Sequence, residues 1–233
     1  MAKIAVVTGG ARGIGGGIAA RLMRDGYEVA VFDMLDSSGG SLHYRCDISD
    51  RAQVEAGFQA VLERWGRLDV LVNNAAGSFR NHLVDQPEHE VRRCWDVCLW
   101  GAWHCTQIAA RRMIGQGEGG NVVTITSVMS EYTAPGSSVY SGAKAALNAM
   151  TRTWASELAP HRIRVNAIEP GWIDTPGERI SFGDQAVDRG GERIPLARMG
   201  KPEDIADGVA YLVQASYVTG TILRVDGGFT LIR

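Results

Sequence analysis

The feature that most constrains this chain is a short apolar run that breaks into glycine. Residues 3–8 (KIAVVT) are apolar and β-branched, the pattern of a strand buried on both faces of a parallel sheet. Thr8-Gly9-Gly10-Ala11-Arg12-Gly13-Ile14-Gly15 follows and opens a helical stretch ending near residue 25. Glycines let a backbone turn tightly and approach a pyrophosphate. The helix N-terminus then offers free N–H groups and a positive dipole end. A glycine cluster alone says little; its place between strand and helix points to a dinucleotide. Gly16 and Gly17 add flexibility that such a turn does not require.

The rest of the chain alternates in the same way. Strand patterns occupy residues 28–33, 42–46, 68–72, 122–126, 163–168 and 221–225. Helical patterns occupy residues 50–65, 88–116, 138–158 and 201–214. This order predicts one α/β domain over residues 1–233, a Rossmann-like doubly wound parallel sheet of about seven strands. Cys46 lies only thirteen residues after Asp33, so residues 37–41 leave no room for a full crossover helix. Residues 175–200 are rich in glycine and charge, lack a strong period, and are expected to form a substrate lid.

Composition excludes several function classes. With 45% hydrophobic residues, 21% charged residues and a net charge of −2, the chain resembles an ordinary soluble protein. No global field would recruit nucleic acid or an anionic membrane. No apolar stretch reaches the length of a membrane span, and the N-terminus lacks a signal-peptide layout, so a cytoplasmic location is expected. Cys46, Cys94, Cys98 and Cys105 lack CxxC spacing, so no metal site is expected. The last three fall roughly along one helix face and read as small buried hydrophobes.

Chemistry concentrates in the second half. Tyr140 and Lys144 stand four apart in a helical run and share a face. A free phenol has a pKa of ~10, and a neighbouring ammonium is expected to favour its phenolate. Ser127 ends a strand, where open α/β sheets bind ligands, and could hold a substrate oxygen. Asp33 ends the second strand, about twenty residues past the glycine turn, where a carboxylate accepts ribose hydroxyls and repels a 2′-phosphate. NAD is therefore expected over NADP, with Arg12 as the counter-indication. Asp47, with Ile48, follows the third strand and reads as either an adenine-facing group or a helix N-cap-type residue. Asn73-Asn74-Ala75-Ala76-Gly77 is a cluster of amides and small residues at a strand end; the asparagines could bind ribose or hold neighbouring backbone. Pro170, Gly171, Ile173 and Thr175 lie in the turn where nicotinamide would sit. Trp95, Trp100 and Trp103 are expected to be buried, against the sheet or across a subunit interface. Glu169, Asp174, His82 and Arg80 could contact substrate hydroxyls, whereas Trp95, Trp100 and Met129 would suit a flatter alcohol.

Taken together, TGGARGIG at 8–15, NNAAG at 73–77, Ser127, YSGAK at 140–144 and NAIEPG at 166–171 resemble the short-chain dehydrogenase/reductase family over nearly the whole chain. The resemblance implies NAD(P)-dependent interconversion of alcohols and carbonyls on a small-molecule substrate. Tyr140 would be the acid/base, Lys144 would lower its pKa and bind ribose, and Ser127 would hold the substrate oxygen. Gly9, Gly13 and Gly15 would line the pyrophosphate turn, with Ile14 beneath the cofactor; Ile173 and Thr175 would meet the carboxamide. A homo-oligomer, tetramer or dimer, paired through the long helices is also implied. Cys98 stands where the family usually has a proton-relay asparagine, and Ser130 where it often has glycine. The expected substrate is a polyol, sugar or cyclic alcohol. The alternatives are an NADPH-dependent 3-oxoacyl reductase and a non-catalytic NAD(H)-binding sensor or scaffold.

Overall fold

Runs of Val, Ile and Ala with no polar alternation can only be satisfied between two helical layers. That is where they lie in a computed structural model that describes residues 2–36 and 39–231. The strands are β1 (Ile4–Thr8), β2 (Glu28–Asp33), β3 (Leu42–Arg45), β4 (Val70–Asn73), β5 (Gly120–Ile125), β6 (Ile163–Pro170) and β7 (Ile222–Val225). They form one parallel sheet in the order β3-β2-β1-β4-β5-β6-β7. β1 and β4 are wholly buried, while the edge strands β3 and β7 are partly exposed. The order reverses between β1 and β4, which opens a crevice beyond their carboxyl ends.

Each face of the sheet has its own core. On one, α1 (Gly13–Arg24) and α8 (Pro202–Gln214) pack Ile18, Leu22, Ile205 and Val209 against Val7, Val31 and Val72. Here Gly17 finds its use: an added Cβ would lie 2.7 Å from Cβ of Pro202, so only glycine allows this helix approach. On the other face, α2 (Arg51–Trp65), α4 (Ala102–Gln116) and α5 (Ser138–Leu158) pack Phe58, Cys105, Ile108 and Leu147 against Val6, Leu71 and Val165.

The expected long helix over residues 88–116 is interrupted. It divides into α3 (Glu88–Trp95), a π-helical turn Asp96–Gly101, and α4. The wider turn shifts the phase of the side chains on either side of it. Cys94 and Cys98 consequently face Val139 and Ala143 of α5, while Cys105 enters the core beneath the sheet, so the three thiols do not share one environment. Of the two expected forms of tryptophan burial, the one against the sheet does not hold for Trp95 and Trp100, which are 45% and 52% exposed. Trp103 alone packs inward, its ring centroid 5.8 Å from that of Trp154.

Asp50, not Asp47, caps α2, accepting from the backbone N–H of Ala52 at 2.9 Å. Between β2 and β3 the described residues form no helix; residues 37 and 38 of that abbreviated crossover lie outside the description. Residues 175–200 hold α6 (Pro176–Phe182), α7 (Asp184–Asp188) and a 3-10 turn, and their Val187, Ile194 and Met199 pack against Trp172 and Phe229. Among the described residues no helix is long and apolar enough to cross a membrane, and no cluster could hold a metal ion.

Candidate active site

At the carboxyl end of β1 the chain turns through Gly9 and Gly13, with φ of +63° and +57°. An added Cβ at Gly9 would lie 2.8 Å from Cα of Ala75, and one at Gly15 would overlap the carbonyl oxygen of Gly9. Arg12 occupies the N-cap of α1 without a side-chain cap bond, leaving the helix's first N–H groups for an anion. Thr8 Oγ1 accepts from the N–H groups of Asn74 and Ala75 at 3.0 and 3.1 Å. Asn74 Nδ2 donates to the carbonyls of Thr8 and Gly9, both at 2.9 Å. Of its two expected uses, Asn74 therefore serves to hold neighbouring backbone.

Asp33 borders the same turn, accepting from the N–H of Ala11 at 3.0 Å and of Leu35 at 2.9 Å. Asp47 is engaged on both oxygens, by Ser49 at 2.7 Å and by Arg93 Nη2 at 3.0 Å. Burial opposes its charge, but these partners outweigh burial and hold the carboxyl below its ordinary range. The Ile48 side chain is buried against Gly101, leaving only its backbone for a ligand. Ile14 packs partly into the α1 core, and Ile173 is buried beside Ile205. Thr175 caps α6 and faces Gly13, where an added Cβ would lie 3.6 Å from Cβ of Thr175. Pro170 ends β6 and Gly171 follows it, where an added Cβ would meet Asp226 at 2.6 Å, so that glycine is required by packing. A cradle that side chains would fill, uncapped helix N–H groups and a carboxylate at the β2 end together fit a dinucleotide.

The candidate reacting groups Ser127, Tyr140 and Lys144 converge at the end of β5. Ser127 is fully extended at the end of β5, and its Oγ accepts from the N–H of Met129 at 3.1 Å. Lys144 is 2% exposed; its Nζ donates to the carbonyl of Ile125 at 2.7 Å and lies 5.4 Å from the Tyr140 ring centre. The expected depression of the phenol does not occur in the protein alone. Burial pushes Tyr140 above its ordinary range, Cys98 and Glu178 add to this, and the Ser127 hydroxyl only partly offsets it. Burial also pushes Lys144 down. Desolvation outweighs the ammonium here because both groups lack water.

Cys98 sits in the π turn beside this pair. Its Sγ and that of Cys94 each donate to the carbonyl of Gly77 at 3.2 Å. The Gly77 N–H in turn lies 3.4 Å from the Cys98 sulfur as a donor. Hydrogen bonding with Cys94, aided by the Lys144 charge, pushes the Cys98 thiol down. Cys98 thus anchors the end of the NNAAG segment.

Two expected substrate contacts are otherwise occupied. Glu169 is 1% exposed and bound to Arg224 at 2.8 Å, so it faces the interior. Asp174 is paired with Arg179 at 2.7 Å. His82 precedes a short 3-10 turn. Arg80 lies 4.2 Å above the Phe182 ring of α6, and Phe182 packs edge-on to Trp172. Trp172 Nε1 donates to Glu178 at 3.0 Å. Sequence gives no role to Glu178, Arg93 or Thr8, and reads Cys94 only as a small buried hydrophobe. Thr8 lies inside the glycine motif, but the other three find their partners only through the fold.

The sequence pattern of the family described as enoyl-(acyl carrier protein) reductase matches residues 9–230. The 3-oxoacyl-[acyl-carrier-protein] reductase FabG of Thermotoga maritima is 35% identical, over 98% of each chain. The ligand-free aldohexose dehydrogenase of Thermoplasma acidophilum superposes with a TM-score of 0.93 at 31% identity, covering 100% of this chain and 95% of the other. The acetoin dehydrogenase of Enterobacter cloacae superposes with a TM-score of 0.89 at 38% identity, covering 100% and 97%. Matched across almost its whole length in sequence and in fold, the chain belongs to the short-chain dehydrogenase/reductase family of oxidoreductases.

Proposed function

We propose that the protein transfers hydride between NAD(H) and a small secondary alcohol or its ketone, most readily a polyol, sugar or cyclic alcohol. The observation that carries this reading is the convergence of Ser127, Tyr140 and Lys144 beside the glycine cradle. A bound nicotinamide would supply the hydride acceptor or donor. Ser127 Oγ holds the substrate oxygen, and Tyr140 exchanges a proton with it at the phenolic oxygen. Lys144, fixed by the Ile125 carbonyl, orients the phenol and meets the ribose. Gly9, Gly13 and Gly15 accommodate the pyrophosphate, and Thr175 faces that turn from the lid.

The polar substrate class is supported by Arg80, Glu178 and Trp172 at the lid, and by the names of the aldohexose and acetoin dehydrogenase relatives. The FabG relative supports the second reading, reduction of a 3-oxoacyl carrier thioester. NAD is favoured by the Asp33 carboxylate at the end of β2. Exposed Trp95 and Trp100 support a homo-oligomer, and the four free cysteines suit a reducing cytoplasm. The test is an absorbance screen with NAD⁺ and NADP⁺ separately, over polyols, aldoses, acetoin and cyclic alcohols, and with NADPH over a 3-oxoacyl thioester. Turnover of the thioester alone would replace the first reading by the second.

A further inference from the structure

Glu169 is a carboxylate with almost no access to water, in a strand that ends at the crevice. A charge so placed persists only where its oxygens are well satisfied. Oε2 accepts from Arg224 Nε and Nη2 at 3.1 and 2.8 Å. Oε1 accepts from Asn148 Nδ2 at 2.7 Å and from the hydroxyl of Ser130. Asn148 Nδ2 also reaches Ser130 Oγ, at 3.0 Å.

Two of these partners, Ser130 and Asn148, belong to the elements that carry the proposed reacting groups. Ser130 closes the short turn that begins at Ser127, its N–H donating to the Ser127 carbonyl at 3.0 Å. Asn148 stands one helical turn beyond Lys144 on α5. Arg224 belongs to β7 and also binds Glu131 at 2.6 Å, with its guanidinium 5.5 Å from the centre of the Tyr132 ring. Tyr132 in turn donates to the carbonyl of Thr230 at 2.9 Å. One buried carboxylate therefore joins the serine's turn, the tyrosine's helix and the last strand.

We infer that Glu169 is a positioning residue that sets Ser127 against Tyr140 through the hydroxyl of Ser130. The inference rests on the catalytic roles proposed above for Ser127 and Tyr140. It gives the hydroxyl at position 130 a use: the side chain is the link between carboxylate and turn.

The test compares Ser130→Ala, Ser130→Thr and Glu169→Gln, with Ser130→Ala also placed in a Ser127→Ala background. Each is assayed with NAD⁺ and the fastest alcohol of the screen, together with NADH affinity and thermal unfolding. Ser130→Ala leaves the Glu169–Arg224 pair intact and is expected to fold, whatever Glu169→Gln does. It should lower kcat by about tenfold, with KM and NADH affinity within about twofold, as a small displacement of a reacting group does. Ser130→Thr should restore most of the loss, and Ser130→Ala should cost nothing further once Ser127 is alanine. An unchanged kcat in Ser130→Ala, or an equal loss in the Ser127→Ala background, overturns the inference. If Ser127→Ala itself keeps full kcat, or no alcohol turns over, the catalytic reading fails and the inference with it.

Discussion

The β1–β3 half of the crevice is shaped by backbone and by missing side chains, whereas the β5–β6 half is shaped by buried polar side chains. On the first side the glycine turn, the uncapped start of α1 and the Asn74 bonds all involve main-chain groups. On the second, Lys144, Glu169 and the Asn148 amide nitrogen are almost fully buried and bonded mostly to groups distant in sequence. Backbone cradles tolerate little change of shape but carry little titration. Buried side-chain sites reverse this: their chemistry depends on desolvation, and each group depends on its neighbours.

The largest test of that contrast is Tyr140→Phe. It should lower kcat about a thousandfold, the scale of a lost acid/base, while NADH affinity measured by fluorescence stays unchanged. Loss of binding in parallel would erase the division between the halves. In the protein with Tyr140 intact, the raised phenol pKa keeps the proton on at neutral pH and releases it only as pH rises toward that pKa. Reduction should therefore be well supported near neutrality, and oxidation should accelerate with increasing pH; a flat oxidation profile would contradict this. On the opposite side, Asp33→Ala should shift the NADP⁺/NAD⁺ ratio of kcat/KM by roughly a hundredfold, a screened fraction of the charge repulsion. An unmoved ratio removes Asp33 from cofactor choice. Gly17→Ala, which crowds Pro202, should lower stability by about 1–3 kcal/mol in denaturant titration without changing kcat of the folded enzyme. The smallest effect is expected from Cys98→Asn, a change of about threefold or less in kcat, since asparagine can also bond the Gly77 backbone. A large loss would show that the thiol itself handles protons.

The same contrast governs what the sequence reveals. The succession of strands, the glycine turn and the span of α5 follow from local pattern, because a backbone requirement is written at the position that meets it. The pairings of Glu169 with Arg224 and of Asp47 with Arg93 join residues 55 and 46 positions apart, and no spacing rule connects them. The interrupted helix was also hidden, since an apolar period looks continuous across one wide turn. The misjudged phenol has a similar origin: sequence shows that Lys144 lies near Tyr140, but not how little water reaches either.

The wide turn at Asp96–Gly101 has a consequence for how this stretch tolerates insertions and deletions. It acts as a phase shifter between a helical segment that serves the crevice and another that serves the core. Adding one more residue there, beyond the one the wide turn already absorbs, would rotate α3 by roughly 100° about its axis relative to α4. Cys94 would then swing away from Gly77, and a different stripe of α3 would meet α5. A length change harmless in a surface loop would here dismantle the wall of the crevice, although every residue with a chemical role would still be present.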